Sequence, residues 1–206
     1  MNRVVGYIDG FNLFFGLRDS GLRRYYWLSP ELLIQNLMKP WQTLAGVRYF
    51  SARISPSPGD PDKHLRQQTY LEAVETLAGV EAIYGHYLSK PKQCRACGAQ
   101  WQQAEEKMTD VNIAVRLLAD AMDDAFDTAM IISADSDLVP PVEAVRARFP
   151  AKRIIIASPP ARHSTKLAAA ANACFTIGRK KLQDSQLPDT ITKPDGFVLS
   201  RPASWN

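Results

Sequence analysis

The chain has 206 residues, 46% hydrophobic and 22% charged, with a net charge of +4 and a pI near 9.0. That balance is the composition of an ordinary folded domain and excludes disordered, fibrous and collagen-like chains. No apolar run approaches the ~20 residues of a membrane span, and three cysteines are too few and odd in number for a disulfide scaffold.

In chain order, RVVGYI (3–8) is a short β-rich run that stops at Asp9-Gly10, a buried first strand too short and too soon interrupted to act as a signal peptide. A cytoplasmic protein with one core is therefore expected. SPELLIQNLMKPW (29–41) follows as a helix, with Ser29 as N-cap and Pro30 in the first turn. GVRYFSARI (46–54) alternates like a strand and ends at the turn-rich SPSPGDPD. KHLRQQTYLEAVETL (63–77) carries a helical apolar stripe, and VEAIYGHYL (80–88) is a further strand. Residues 89–107, which contain CRACG, read as a polar loop. TDVNIAVRLLADAMDDAF (109–126) is a helix capped by Thr109, and TAMIIS (128–133) and KRIIIAS (152–158) are buried strands around the helix LVPPVEAVRARF. Strands alternating with helices predict a parallel sheet with helices on both faces, over residues 1–182. Residues 183–206, richer in Pro and polar residues, form a C-terminal arm.

In an open parallel sheet, ligands bind outside the carboxyl ends of the strands. Asp9 ends one strand, Asp135 and Asp137 follow another, and Asp110 opens a helix after a loop, so all four can face one edge. Taken singly, each is equally well a turn residue or a helix-dipole acid. Together they would repel one another until a proton or a cation intervened. Oxygen ligands select hard ions, and Mg²⁺ or Mn²⁺ suits a site with few protein ligands. Sequestering acids this way leaves a more basic remainder, which favours polyanionic partners.

YIDGFNL, EEKMTDVNIAVRLLADA and IISADSDLVPPVE, in that order, resemble the NYN domain family of the PIN-like nuclease superfamily, with the likeness running from about residue 3 to about residue 178. The resemblance implies a three-layer α/β/α PIN-like fold, akin to the Rossmann type, with a mostly parallel central sheet. It also implies a metal-dependent ribonuclease acting on single-stranded or flexible RNA, and a domain that can pair as a homodimer. Carried over, Asp9, Asp110, Asp135 and Asp137 are the metal ligands. Asn12 orients water or phosphate, and Ser133 bonds a ligand water. Relatives often have an acid where this chain has Arg116, which would turn a ligand position into a phosphate contact, and an acid near Asn172. The alternative is an RNA-binding or regulatory module that has lost turnover, with Arg116 as its sign.

Cys94 and Cys97 have the spacing of half a structural zinc site, with no second CxxC and with His86 as the nearest histidine, so that a zinc shared between two subunits, a loop with two plain thiols and, less readily, a redox pair all stay open. Lys90, Lys92, Arg95 and Lys107, beside Trp101, are candidate nucleic-acid contacts on the same segment. Arg179-Lys180-Lys181 and His163 are weaker candidates at solvated positions. No GxSxG, GxGxxG or Walker loop is present, and Phe11 stands where a dehalogenase-type phosphatase needs its second Asp.

Overall fold

Val4, Val5, Tyr7 and Ile8 are buried from both sides, which is why the first strand, β1 (Asn2–Asp9), reads as a nearly continuous apolar run. In the computed structural model, which describes residues 2–56 and 59–205 except for the side chains of 87–90 and 101–106, β1 lies at the centre of a parallel sheet. On one side it pairs with β2 (Gln42–Ser51), which pairs with β3 (Val80–Tyr84). On the other side, strands 128–132, 153–158 and 173–176 follow in that order, completing six parallel strands.

The helices divide between the two faces, as the alternating strand pattern requires. One face takes α1 (Gly10–Asp19), α2 (Pro30–Leu37) and α3 (Lys63–Glu75), whose Leu13, Ile34 and Leu71 pack with Val4 and Ile8. The other takes α4 (Thr109–Met122) and α5 (Val139–Arg148), whose Ile113, Leu117 and Val142 pack with Val5 and Tyr7. The remaining elements are β4 (His86–Gln93), β5 (Gln100–Lys107), β6 (Thr128–Ile132), β7 (Arg153–Ser158), α6 (Thr165–Ala170), β8 (Ala173–Thr176), α7 (Arg179–Gln183), β9 (Thr190–Thr192) and β10 (Val198–Ser200). Among the described residues no helix is long and apolar enough to cross a membrane.

Three differences from the sequence reading matter. The segment read as a loop over 89–107 is an antiparallel ribbon of β4 and β5, in register from His86 opposite Lys107 to Gln93 opposite Gln100. Its sequence lacks an apolar face, so nothing in the hydrophobic pattern marks it as a strand pair. The helix α1 follows β1 without a loop, because Asp9 ends the strand and caps the helix at once. The C-terminal arm packs into the first core: Trp205 and Leu199 are buried, and Trp27 Nε1 donates to the Pro188 carbonyl at 2.6 Å. At the opposite edge from the strand ends, Arg3 bridges Asp124 and Asp127, holding the latter's carboxyl down to about 2.

Gly16 in α1 faces the loop after β7 so closely that a Cβ would stand 2.6 Å from Pro159 Cβ and 2.7 Å from the Pro160 carbonyl oxygen. Gly16→Ala should therefore lower the urea midpoint. Overpacking costs about 1–3 kcal/mol, and alanine's better helix propensity offsets at most ~1. An unchanged midpoint would mean that the two-proline loop yields to the methyl group.

Candidate functional site

The sheet order reverses beside β1: the chain leaves β1 toward β2 on one side and returns to its other side with β6. Such a switch point opens a crevice at the carboxyl ends of the two strands. Ile8 pairs with Ile132, so Asp9 and Ser133, the next residues along, meet there.

Asp9 is 5% exposed. Its Oδ1 accepts from the Asn12 N–H at 2.9 Å, the N-cap bond of α1, and its Oδ2 accepts from the Ser133 hydroxyl at 3.0 Å. Ser133, fully buried, in turn accepts from the Asp135 N–H at 3.1 Å. Asn12 accepts on its side-chain oxygen from the Ala134 N–H at 3.1 Å. Asp135 caps the short turn that follows, accepting from the Asp137 N–H at 3.0 Å. Two hydrogen-bonded links thus lock the loop after β6 onto the start of α1.

The charges tell a different story from the hydrogen bonds. Burial is the main cause pushing the Asp9 carboxyl up to about 7, against the pull of its Asn12 and Ser133 hydrogen bonds, and the charges of Asp110 and Asp135 push the same way. Asp110, in the first turn of α4, therefore lies within electrostatic reach of Asp9, as does Asp135. The Asp137 side chain is exposed at the rim.

Among the described residues, no three His, Cys, Asp or Glu side chains already stand close enough to enclose an ion. The oxygen donors still fit Mg²⁺ or Mn²⁺, which takes one or two carboxylates and keeps several waters. A divalent cation would also favour the charged form of Asp9 against the burial and the neighbouring carboxylates that hold it toward its neutral form.

Other expected residues fall elsewhere. Arg116 is ion-paired: its Nη2 meets Glu81 at 2.8 Å and its Nε lies 3.1 Å from Asp120. Asp120, 5% exposed, also takes a 2.8 Å hydrogen bond from the Tyr7 hydroxyl and has Arg48 at 3.4 Å. Position 172 is not at the site, because Asn172 accepts from the Ile154 N–H at the beginning of β7, the opposite edge of the sheet. Lys107 ends the β4–β5 ribbon beside α4, whereas Lys92 and Arg95 are exposed at its far end. The Lys90 and Trp101 side chains lie outside the described residues. Lys180 pairs with Asp184, Lys181 donates to the Asn36 carbonyl, and His163 is exposed.

The sequence reading missed a cavity of about 640 Å³ on the α1 side of β1, which shares Gly10 with the acid edge. Phe11, Phe14, Tyr26 and Trp205 line it, with Arg23 and Lys63 at exposed positions of its wall. The aromatic run FNLFF was its one visible signal.

The parallel α/β sheet, with Asp9 at its switch point and Asp110 and Asp135 within electrostatic reach, is compatible with a nuclease-like family. The chain belongs to the NYN domain family, whose model matches residues 3–178, and through it to the PIN-like superfamily. It is 29% identical over 175 residues to the 6-hydroxy-3-succinoylpyridine 3-monooxygenase HspA of Pseudomonas putida, an alignment that covers 68% of this chain and 54% of that protein. The chain thus spans about half the length of the curated relative it matches. Its fold also matches the crystal structure of a protein of unknown function from Vibrio parahaemolyticus, with a TM-score of 0.58, 19% identity, and coverage of 90% of this chain and 96% of that one.

In metal-free buffer, Asp9→Asn should stabilise the protein in a pH-dependent way. A carboxyl raised from 3.8 to about 7 on folding favours the folded state below about pH 4, and that contribution is lost as the pH rises to 7. The variant should match wild type in melting temperature at pH 4 and exceed it at pH 8, both with EDTA present. Equal melting temperatures at pH 8 would show that Asp9 carries no buried-charge penalty.

Proposed function

We propose that the protein is a divalent-metal-dependent endoribonuclease that hydrolyses single-stranded or flexible RNA. The observation that carries this reading is Asp9, a buried carboxylate at the sheet's switch point that accepts hydrogen bonds from the Asn12 N–H and the Ser133 hydroxyl and feels the charges of Asp110 and Asp135. Asp9, Asp110 and Asp135 would hold the ion, with Asp137 reaching it directly or through water. Mg²⁺ or Mn²⁺ bound there acidifies a water and neutralises charge on a phosphodiester under attack.

The protein's own groups divide the remaining work. Ser133 and the Asn12 N–H fix the two oxygens of Asp9, leaving each a lone pair to turn outward. Asn12 and Ser133 also set the direction in which Asp135 leaves the sheet, by gripping Ala134 N–H and Asp135 N–H. Lys107, two residues before α4 begins, would in this reading meet a phosphate approaching Asp110.

The test is cleavage of a labelled mixed-sequence single-stranded RNA with Mn²⁺, Mg²⁺ or EDTA. Cutting should require metal and should fall at least about 100-fold in Asp9→Asn and in Asp135→Asn/Asp137→Asn. Ser133→Ala, which removes an outer partner of a ligand, should cost about 10–100-fold. RNA that binds in a salt-sensitive way but stays intact with either metal would instead select a regulatory RNA-binding module.

The aromatic cavity favours a second reading. Its volume suits a small ligand, its walls suit a planar ring, and Arg23 and Lys63 suit a carboxylate. The relative named as a pyridine-compound monooxygenase points to the same ligand class. If a pyridine carboxylate raises the melting temperature of wild type but not of Arg23→Glu/Lys63→Glu, while RNA remains uncut, the function shifts to small-molecule chemistry.

A further inference from the structure

The turn joining β4 to β5 is CRACG, and its geometry is more specific than a loop needs. The Cys94 N–H donates to the Ala99 carbonyl at 2.8 Å, and the Gly98 N–H donates back to the Cys94 carbonyl at 2.9 Å. Gly98 adopts φ +72°, a left-handed conformation that glycine tolerates without strain. Backbone hydrogen bonds from Cys97 and Ala96, and the Cys97 thiol beside it, hold the Cys94 thiol below its ordinary range. Two sulfurs side by side, one already receiving backbone donors that stabilise a thiolate, form half of a tetrahedral thiolate site.

The other half does not come from the described part of this chain. Structural zinc takes four ligands, yet no third Cys, His, Asp or Glu stands within reach of the pair. His86 is at the other end of the ribbon: eight residues at ~3.3 Å each separate it from the turn by roughly 26 Å. Cys174 belongs to β8, where its sulfur contacts the Ser158 hydroxyl at 3.6 Å. Both thiols are instead offered outward, with every described residue of 91–100 exposed except the partly buried Cys94.

We propose that the CRACG turn is a zinc half-site completed by a second copy of this chain, Cys94 and Cys97 from each of two ribbons holding one Zn²⁺ across a two-fold axis. A two-fold arrangement is the commonest for homo-oligomers, and it brings the same two sulfurs from each side. Binding releases one proton from each of the four thiols, and the resulting four-thiolate zinc centre carries a net charge of −2. Lys92 and Arg95, exposed beside the turn in both copies, supply the compensating positive charge. This places them at the metal centre's flanks. The proposal is independent of the nuclease reading, since it uses none of the residues of the acidic edge.

The experiment uses the full chain without a histidine tag, purified under reducing conditions. Elemental analysis should give one zinc per two chains, and native mass spectrometry should show a zinc-containing dimer. Cobalt substitution should produce the thiolate charge-transfer and tetrahedral visible bands of a four-sulfur site. Cys94→Ser/Cys97→Ser should lose the zinc and become monomeric while keeping the wild-type circular dichroism and melting temperature of the NYN domain, which separates metal loss from misfolding. Absence of zinc in the reduced protein, one zinc per monomer, or zinc retained by the double variant would each overturn the proposal. So would a dimer that persists after zinc is removed.

Discussion

Parallel pairing between β1 and β6 joins parts of the chain more than a hundred residues apart, and it does so at one register, Ile8 beside Ile132. The residue after each strand is thereby fixed against its counterpart. Asp9 and Ser133 share a hydrogen bond, Ser133 reaches Asp135, and Asn12 reaches Ala134. A slip of one residue would turn every side chain of β1 to the wrong face, so the two cores on either side of the sheet hold the register that the acidic edge requires. The helices are in this sense the site's support.

Two buried acids show what sets a candidate site apart from structure. Asp120 and Asp9 are equally buried, and both accept a hydroxyl hydrogen bond. Asp120 is met by the guanidinium groups of Arg48 and Arg116, so its charge is balanced inside the fold. Asp9 faces Asp110 and Asp135 instead. An uncompensated buried carboxylate is costly, and a fold retains one readily only where something else supplies the opposite charge. Arg116 therefore belongs to the balanced network on the α4 face of the sheet, and an arginine at that position leaves the acidic edge intact.

Much of this was legible in the chain. The runs at 3–8, 128–133 and 152–158 are strands because branched and aromatic residues are buried from both sides, and the sheet's topology then puts Asp9 and the loop of Asp135 at one edge, which Asp110, in the first turn of α4, could be expected to face. What could not be read depended on contacts between distant elements. Nothing local says that Glu81, on β3, will claim Arg116, or that Asn172 will bond the start of β7 at the far edge. The sequence of β4 and β5 is mostly polar and so carries no period to detect. FNLFFGLR conceals α1 because its aromatics also line a cavity, and Trp205 enters the core from a tail whose composition suggests solvent.

The central position of β1 also bears on the order of assembly. β2 and β3 can pair beside it once residues 2–84 exist, whereas β6 arrives only after the ribbon and α4 have been made. Until then the other edge of β1, rich in valine and isoleucine, stands open, and an unpaired apolar edge invites pairing with the wrong strand. Long-range parallel pairings form slowly because loop closure precedes any reward from contact. The strand that carries Asp9 precedes every other strand of the sheet in the chain yet is enclosed only when β6 pairs with it, and the acidic edge comes into being only when the sheet closes.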